Sequence, residues 1–265
     1  MHSNNVHLYS LLEVAKEMGV PKVFIHFFGD GRDTDPKSAA EYMRQLLDKM
    51  KELGVGELAT VVGRYFIMDR DKRWDRVETG MKGIVTGEGE DAEDPVAKIK
   101  ERYEKGETDE FLKPIIFGGK ERRVQDSDTL FWFNYRSDRV REVTQLMGDV
   151  DRSPKPDFPY PKDIHITTMT RYNPSYTFPI AFAPQSMTDV LAEWLAKKGV
   201  KQCHVAETEK YAHGEFSDTF DPVPSMLTIH QSPSFLMGVP RNSSRTKTET
   251  LSPRPRLQPM ICNQR

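Results

Sequence analysis

The run Val23-Phe24-Ile25-His26-Phe27-Phe28, continued by Asp30-Gly31-Arg32-Asp33 and then Asp35-Pro36, holds a strand, a loop and a helix start in one stretch. The opening residues are mostly β-branched or aromatic and predict a short buried strand. Asp35 before Pro36 predicts a helix start, a capping carboxylate followed by proline at the first helical position. Ala39, Met43, Leu46, Leu47, Met50 and Leu53 keep helical spacing up to Gly54. Residues 58–62 predict a second strand, which runs into Gly63-Arg64-Tyr65.

The alternation continues on both sides. Leu8, Leu11, Leu12, Ala15 and Met18 form a helical stripe that Gly19 and Pro21 stop. Trp74, Val77, Met81 and Ile84 form another. Residues 88–94 are acidic and predict an exposed loop before a short helix over 95–103. Strands are expected at 115–117, 129–133 and 164–169, with a helix over 138–147. This pattern predicts an α/β layer architecture. Pro154, Pro156, Pro159 and Pro161 mark one connection, and Pro174, Pro179 and Pro184 a second that reads as an interdomain crossing. After it, Ser186 with Asp189 predicts a capping box opening a helix over 187–198, followed by a strand over 201–206. Residues 214–265 hold seven of the eighteen prolines and no sustained period, so they are expected to stay disordered, outside the fold.

Of the 265 residues, 37% are hydrophobic and 29% charged, the balance of a globular chain of one or two domains. A net charge of −2 gives no global basic field to recruit nucleic acid or anionic membrane, so any anion site must be a local Arg or Lys cluster. No apolar run approaches the roughly 18–20 residues that span a bilayer. Met1-His2-Ser3-Asn4-Asn5 has neither segment of a signal peptide. Cys203 and Cys262 are too few for a disulfide framework or a structural zinc site, and a reducing cytoplasm is expected.

Arginines stand in loops directly after expected strands: Asp30-Gly31-Arg32-Asp33, then Gly63-Arg64-Tyr65 with Asp69-Arg70-Asp71, then Asn134-Tyr135-Arg136-Ser137-Asp138-Arg139. Ligands of open α/β sheets collect at the carboxyl ends of strands, where these loops would converge. A guanidinium offers two parallel charge-assisted hydrogen bonds, so several forks with interleaved aspartates point to a small polyanion. Plainer readings stand beside this one. A single loop Arg–Asp pair is usually a surface ion pair of about 0–1 kcal/mol. Asp30, Asp33 and Asp35 have the spacing of a hard-cation loop but lack its later Glu. His2 and His7 by default face solvent, whereas His26, in an apolar strand, is expected to be a hydrogen-bonded core histidine.

Taken in order, His2-Ser3, Asp30 to Asp33, Gly63-Arg64-Tyr65-x-x-Met68-Asp69-Arg70-Asp71-x-Arg73-Trp74, Asn134 to Arg139 and Ala206-Glu207-Thr208-Glu209-Lys210-Tyr211 resemble the cofactor-independent phosphoglycerate mutases. The resemblance implies the interconversion of 3-phosphoglycerate and 2-phosphoglycerate in glycolysis, an isomerase reaction by intramolecular phosphotransfer. It also implies an α/β fold: a three-layer substrate-binding (transferase) domain inserted into an alkaline-phosphatase-like domain, where a serine and two Mn2+ (or Mg2+) ions take the phosphoryl group. Carried over residue by residue, His2, Arg32, Asp33, Arg64, Arg70, Arg136, Arg139 and Lys210 match the family's substrate contacts. Asp33 is the carboxylate that would orient or deprotonate the glycerate hydroxyl, and Lys210 would face the phosphoryl group.

The match starts at about residue 2 and ends at His213. The serine and metal ligands of the family are therefore expected to be missing, with no metal bound by this chain, and His230 has no partner pattern to replace them. The expected organisation is a substrate-binding domain over 1–184, a fragment of the phosphatase-like domain over 185–213 and a disordered tail over 214–265. A cytoplasmic monomer is expected, with phosphoglycerate as its small-molecule partner and neither nucleic acid nor membrane. The competing expectations are an inactive small-anion-binding module and an unstable truncated product.

Overall fold

The computed structural model describes residues 1–148, 159–185, 189–200, 202–207 and 226–231. Met1–Pro184 belong to one compact unit, and the described residues from Gln185 onward to another.

In the first unit, α1 (Asn5–Glu17) leads into β1 (Phe24–Gly29), α2 (Ala39–Leu53) and β2 (Glu57–Gly63). Then come α3 (Arg64–Ile67), α4 (Trp74–Val85), β3 (Glu90–Asp91), α5 (Pro95–Glu104) and β4 (Ile115–Ile116). These strands form one mixed sheet in the order β1-β2-β4-β3. β1 and β2 are parallel and end together at Gly29↔Gly63, while β4 runs antiparallel to β2. A second sheet pairs β5 (Thr129–Trp132) in parallel with β6 (His165–Thr168), and α6 (Arg141–Met147) lies between them in sequence.

Consecutive strand residues point to opposite faces, and the core follows that rule. Phe27 and Val61 join a buried cluster with Leu12 of α1, Met43, Leu46 and Met50 of α2, and Ile99 of α5. Phe28 and Val62 join another with Val77, Met81 and Ile84 of α4 and Val143, Leu146 and Met147 of α6. The main sheet is thus covered on both faces, as the near-continuous apolar character of β1 and β2 requires. His26 of β1 is partly buried, with its Nδ1 2.8 Å from Thr60 Oγ1 of β2. Burial holds its pKa far down, at about 3.

Several boundaries differ from the expectations. α2 begins at Ala39, not at Asp35-Pro36, which form a turn in which Asp35 accepts from the backbone N–H of Lys37. The carboxylate at the α2 N-terminus is Asp109, distant in sequence, which accepts from the backbone N–H groups of Ser38 and Ala39 at 2.9 and 2.8 Å. α6 starts at Arg141 because Ser137 to Val140 make a turn that leaves Asp138 and Arg139 aimed away from a helix. Residues 88–94 are exposed but include β3, which pairs with β4. His2 does not face solvent; it is 2% exposed.

In the second unit, α7 spans only Leu191–Lys197. Asp189 lies before it at a φ of 56°, and its backbone N–H donates to Glu193 Oε2 at 2.7 Å, so Glu193 rather than Asp189 supplies the capping carboxylate. Ser186 lies outside the described residues. β7 (Gln202–Glu207) pairs in parallel with β8 (Met226–Gln231), so part of the stretch expected to lack structure is a strand.

Candidate functional site

The carboxyl ends of β1 and β2 meet the 3-10 turn Asp109–Phe111 at backbone distance. A Cβ added at Gly29 would lie 2.7 Å from the Asp109 carbonyl oxygen, and one at Gly63 would lie 2.4 Å from that of Glu110. Only glycine fits such an approach. Gly63 also donates its N–H to the Leu112 carbonyl at 2.7 Å. The chain then turns at once into α3, which places Arg64 beside the loop after β1.

Arg64 is buried, and its Nη1 contacts Asp30 Oδ1 and, at 2.9 Å, Asp33 Oδ2. Asp30 also accepts from the backbone N–H groups of Arg32 and Asp33 at 3.2 and 3.1 Å, which closes the loop around the guanidinium. Burial works to raise the pKa of both aspartates. The Asp33 N–H and Arg64 outweigh it at Asp30, and Arg64 outweighs it at Asp33, so both carboxyls end below their ordinary value.

His2 stands between two carboxylates, its Nε2 3.7 Å from Asp33 Oδ2 and its Nδ1 3.4 Å from Asp138 Oδ1. Burial lowers its pKa, and the pull of Asp138 does not restore it. The His2 carbonyl accepts from the Tyr135 N–H at 3.0 Å, which pins the N-terminal segment to the loop after β5. Tyr172 holds that loop from behind, its hydroxyl donating to the Trp132 and Asn134 carbonyls at 3.0 and 2.8 Å. Asp138 also receives Arg136, through Nε at 3.1 Å and Nη2 at 3.0 Å, and Arg70 through Nη1 at 3.2 Å.

The Arg70 loop has its own anchors. Asp69 accepts from the backbone N–H groups of Asp71 and Arg73, each at 2.8 Å. Buried Glu142 accepts from that of Lys72 at 3.0 Å, where Lys72 has a φ of 59°. Burial, helped by nearby Asp69, pushes the Glu142 carboxyl up to about 9. Arg139 donates from Nη1 to the Met68 carbonyl at 2.5 Å. Burial and then the neighbouring guanidiniums of Arg64, Arg70 and Arg32 bring its pKa down to about 10.

Thus His2, Asp33, Arg64, Arg70 and Arg136 are joined, through Asp138, in one run of polar contacts, with Arg139 beside it. Arg32 sits at the rim, half exposed and 3.8 Å from Glu110. Lys210 lies outside the described residues. Asp30, weighed in the sequence only as part of a cation loop, and Asp138, named there only within its motif, turn out to orient the forks. The signal for them was the interleaving of Asp with Arg in each motif. Among the described residues no group of three or more His, Cys, Asp or Glu side chains is placed to hold a metal ion. Asp30, Asp33 and Asp138 are each engaged by a guanidinium, so the residues at this site do not fit a divalent cation.

A family model described as the BPG-independent PGAM N-terminus matches residues 1–174. The chain belongs to the BPG-independent phosphoglycerate mutase family. The 2,3-bisphosphoglycerate-independent phosphoglycerate mutase of Onchocerca volvulus is 48% identical over 219 residues, which are 82% of this chain and 42% of that protein. The Brugia malayi mutase is 46% identical over the same length and the same shares. The chain therefore spans about two fifths of the length of these mutases. A crystal structure of Leishmania mexicana phosphoglycerate mutase at low cobalt concentration matches with a TM-score of 0.71 and 22% identity, over 88% of this chain and 46% of that one. That likeness establishes the fold.

Proposed function

We propose that this chain supplies the phosphoglycerate-holding site of a cofactor-independent mutase, acting in glycolysis on 3-phosphoglycerate and 2-phosphoglycerate. The observation behind this reading is the run of contacts, buried at Asp30, Arg64, His2 and Asp138 and partly exposed at Asp33, Arg70 and Arg136, that links these seven residues. An acyclic phosphorylated acid has two anionic ends and must stay oriented while a phosphoryl group changes hydroxyls. Fixed guanidinium forks supply that orientation, and catalysis of phosphoryl transfer is largely positioning and charge stabilisation. In this reading the guanidiniums of Arg32, Arg64, Arg70, Arg136 and Arg139 would hold the carboxylate and the phosphate between them.

Asp33 would orient the glycerate hydroxyl or take its proton; its lowered pKa keeps it an ionised hydrogen-bond acceptor and favours the orienting role over that of a base. His2 beside it is neutral at pH 7 because its pKa is lowered as well, by burial. Residues 1–184 are the three-layer substrate-binding domain in this reading. The described residues from Gln185 onward belong to the neighbouring phosphatase-like domain, and likeness to the nematode mutases over 219 residues, beyond the 174 of the family model, supports that extension. Lys210 would serve from there. The two Mn2+ or Mg2+ ions and the serine implied by the family would act on the phosphoryl group outside the site described here. The site by itself holds rather than transfers. The setting is cytoplasmic and the state monomeric in this reading, and no helix among the described residues is long and apolar enough to cross a membrane.

The test is a calorimetric titration of 3-phosphoglycerate into the purified chain, beside a coupled mutase assay with and without manganese. Saturable binding without turnover is expected. Manganese-dependent turnover would show that the chain holds transfer machinery as well, and binding of every small anion alike would favour a plain anion-binding module.

A further inference from the structure

Asp138 lies inside the Asn134–Arg139 motif but outside the set of substrate contacts, and the geometry assigns it a role of its own. We propose that Asp138 is the positioning residue that sets which anion the site prefers, by holding Arg70, Arg136 and His2 at a fixed spacing suited to a two-ended anion. This inference rests on the mutase reading and deepens it.

The argument is geometric. The Asp138 side chain is 7% exposed, and both its oxygens are used. Oδ1 faces His2 Nδ1 at 3.4 Å and accepts from Arg136 Nε at 3.1 Å. Oδ2 accepts from Arg136 Nη2 at 3.0 Å and from Arg70 Nη1 at 3.2 Å. Arg136 is therefore gripped along one whole edge, which fixes the direction of its remaining donors. Arg70 comes from the loop after α3 and Arg136 from the loop after β5, so a single carboxylate sets the distance between cations from two separate loops. Without it, the two guanidiniums would repel each other and the neutral His2 ring would lose its partner, while the cluster would gain one unit of positive charge. The added charge favours every anion. The lost spacing harms only an anion whose two charged ends must meet separate forks. Removing the charge of Asp138 should thus erode preference rather than abolish attraction.

The experiment compares the full chain with its Asp138→Asn form, shown by circular dichroism to be folded, in titrations with 3-phosphoglycerate and with inorganic phosphate. The ratio of the two affinities is expected to fall by about tenfold or more in Asp138→Asn, with phosphate bound as tightly as before or more tightly. A merely structural role would weaken both anions together, and that result, or an unchanged ratio, would overturn the proposal. A second reading needs no ligand: the His2 ring lies between Asp138 Oδ1, 3.4 Å from Nδ1, and Asp33 Oδ2, 3.7 Å from Nε2, so nitrogen-15 spectra of the ring should show a tautomer balance that shifts toward the proton on Nε2 in Asp138→Asn. If the native chain binds neither anion, the holding-site reading fails, and the ring spectra still decide: an identical tautomer balance in both forms refutes the positioning role.

Discussion

Arg64 and Arg32 sit one loop apart yet should answer very differently to substitution. Arg64 is buried against Asp30 and also meets the partly exposed Asp33, so Arg64→Ala leaves the buried Asp30 carboxylate without its cation and should cost about 3 kcal/mol or more in urea unfolding. Arg32 is half exposed and 3.8 Å from Glu110, so Arg32→Ala should change stability by about 1 kcal/mol or less. Equal losses in the two variants would contradict the described burial. Glu142 gives a pH signature. Its carboxyl is pushed up to about 9 in the fold, well above 4.5, so the folded chain prefers it protonated. Its contribution is complete below about pH 4.5 and drains away as pH rises toward 9. Glu142→Gln removes that drain, so the melting temperature of the variant should gain on that of the native chain between pH 5 and about 8. His26 acts in the other direction. Its folded pKa of about 3 lies below 6.5, so its contribution is present above pH 6.5 and lost as acid is added. His26→Gln should flatten the acid limb of the stability profile between those values.

At the scale of elements, the junction between strand ends and the Asp109–Phe111 turn positions the site. Gly63→Ala would drive a Cβ into the Glu110 carbonyl, so it should destabilise by about 1–3 kcal/mol and weaken 3-phosphoglycerate binding, both readable on one purified sample. Full affinity with lowered stability would separate the brace from the site. This junction also shows what the sequence reveals and what it hides. The strands at β1 and β2 and the stripes of α1, α2 and α4 were legible because their apolar periods are local. The true start of α2 was not, since the carboxylate that caps it is Asp109, some seventy residues further along the chain. β3 was hidden for a similar reason: Glu90 and Asp91 are exposed and acidic, and only pairing with Ile115 and Ile116 makes them a strand. The site divides in the same way. Arg64, Arg70 and Arg136 could be read from their motifs, but the burial of His2 and the bridging by Asp138 are products of loops that meet only in the fold.

For the whole molecule, the boundary at Pro184 gives a physical prediction. The site residues from His2 to Arg139 and both buried clusters all lie within Met1–Pro184. Residues 1–184 expressed alone should fold, with the same α/β circular dichroism, and should bind 3-phosphoglycerate about as the full chain does. A loss of folding would mean that the remainder supports the core. The most direct measurement for the central claim is calorimetric titration of 3-phosphoglycerate into the full chain and into its Arg136→Ala form. The account predicts saturable one-site binding by the native protein, weakened by about tenfold or more in the variant. Absence of binding by folded native protein, or equal binding by the two forms, would contradict it.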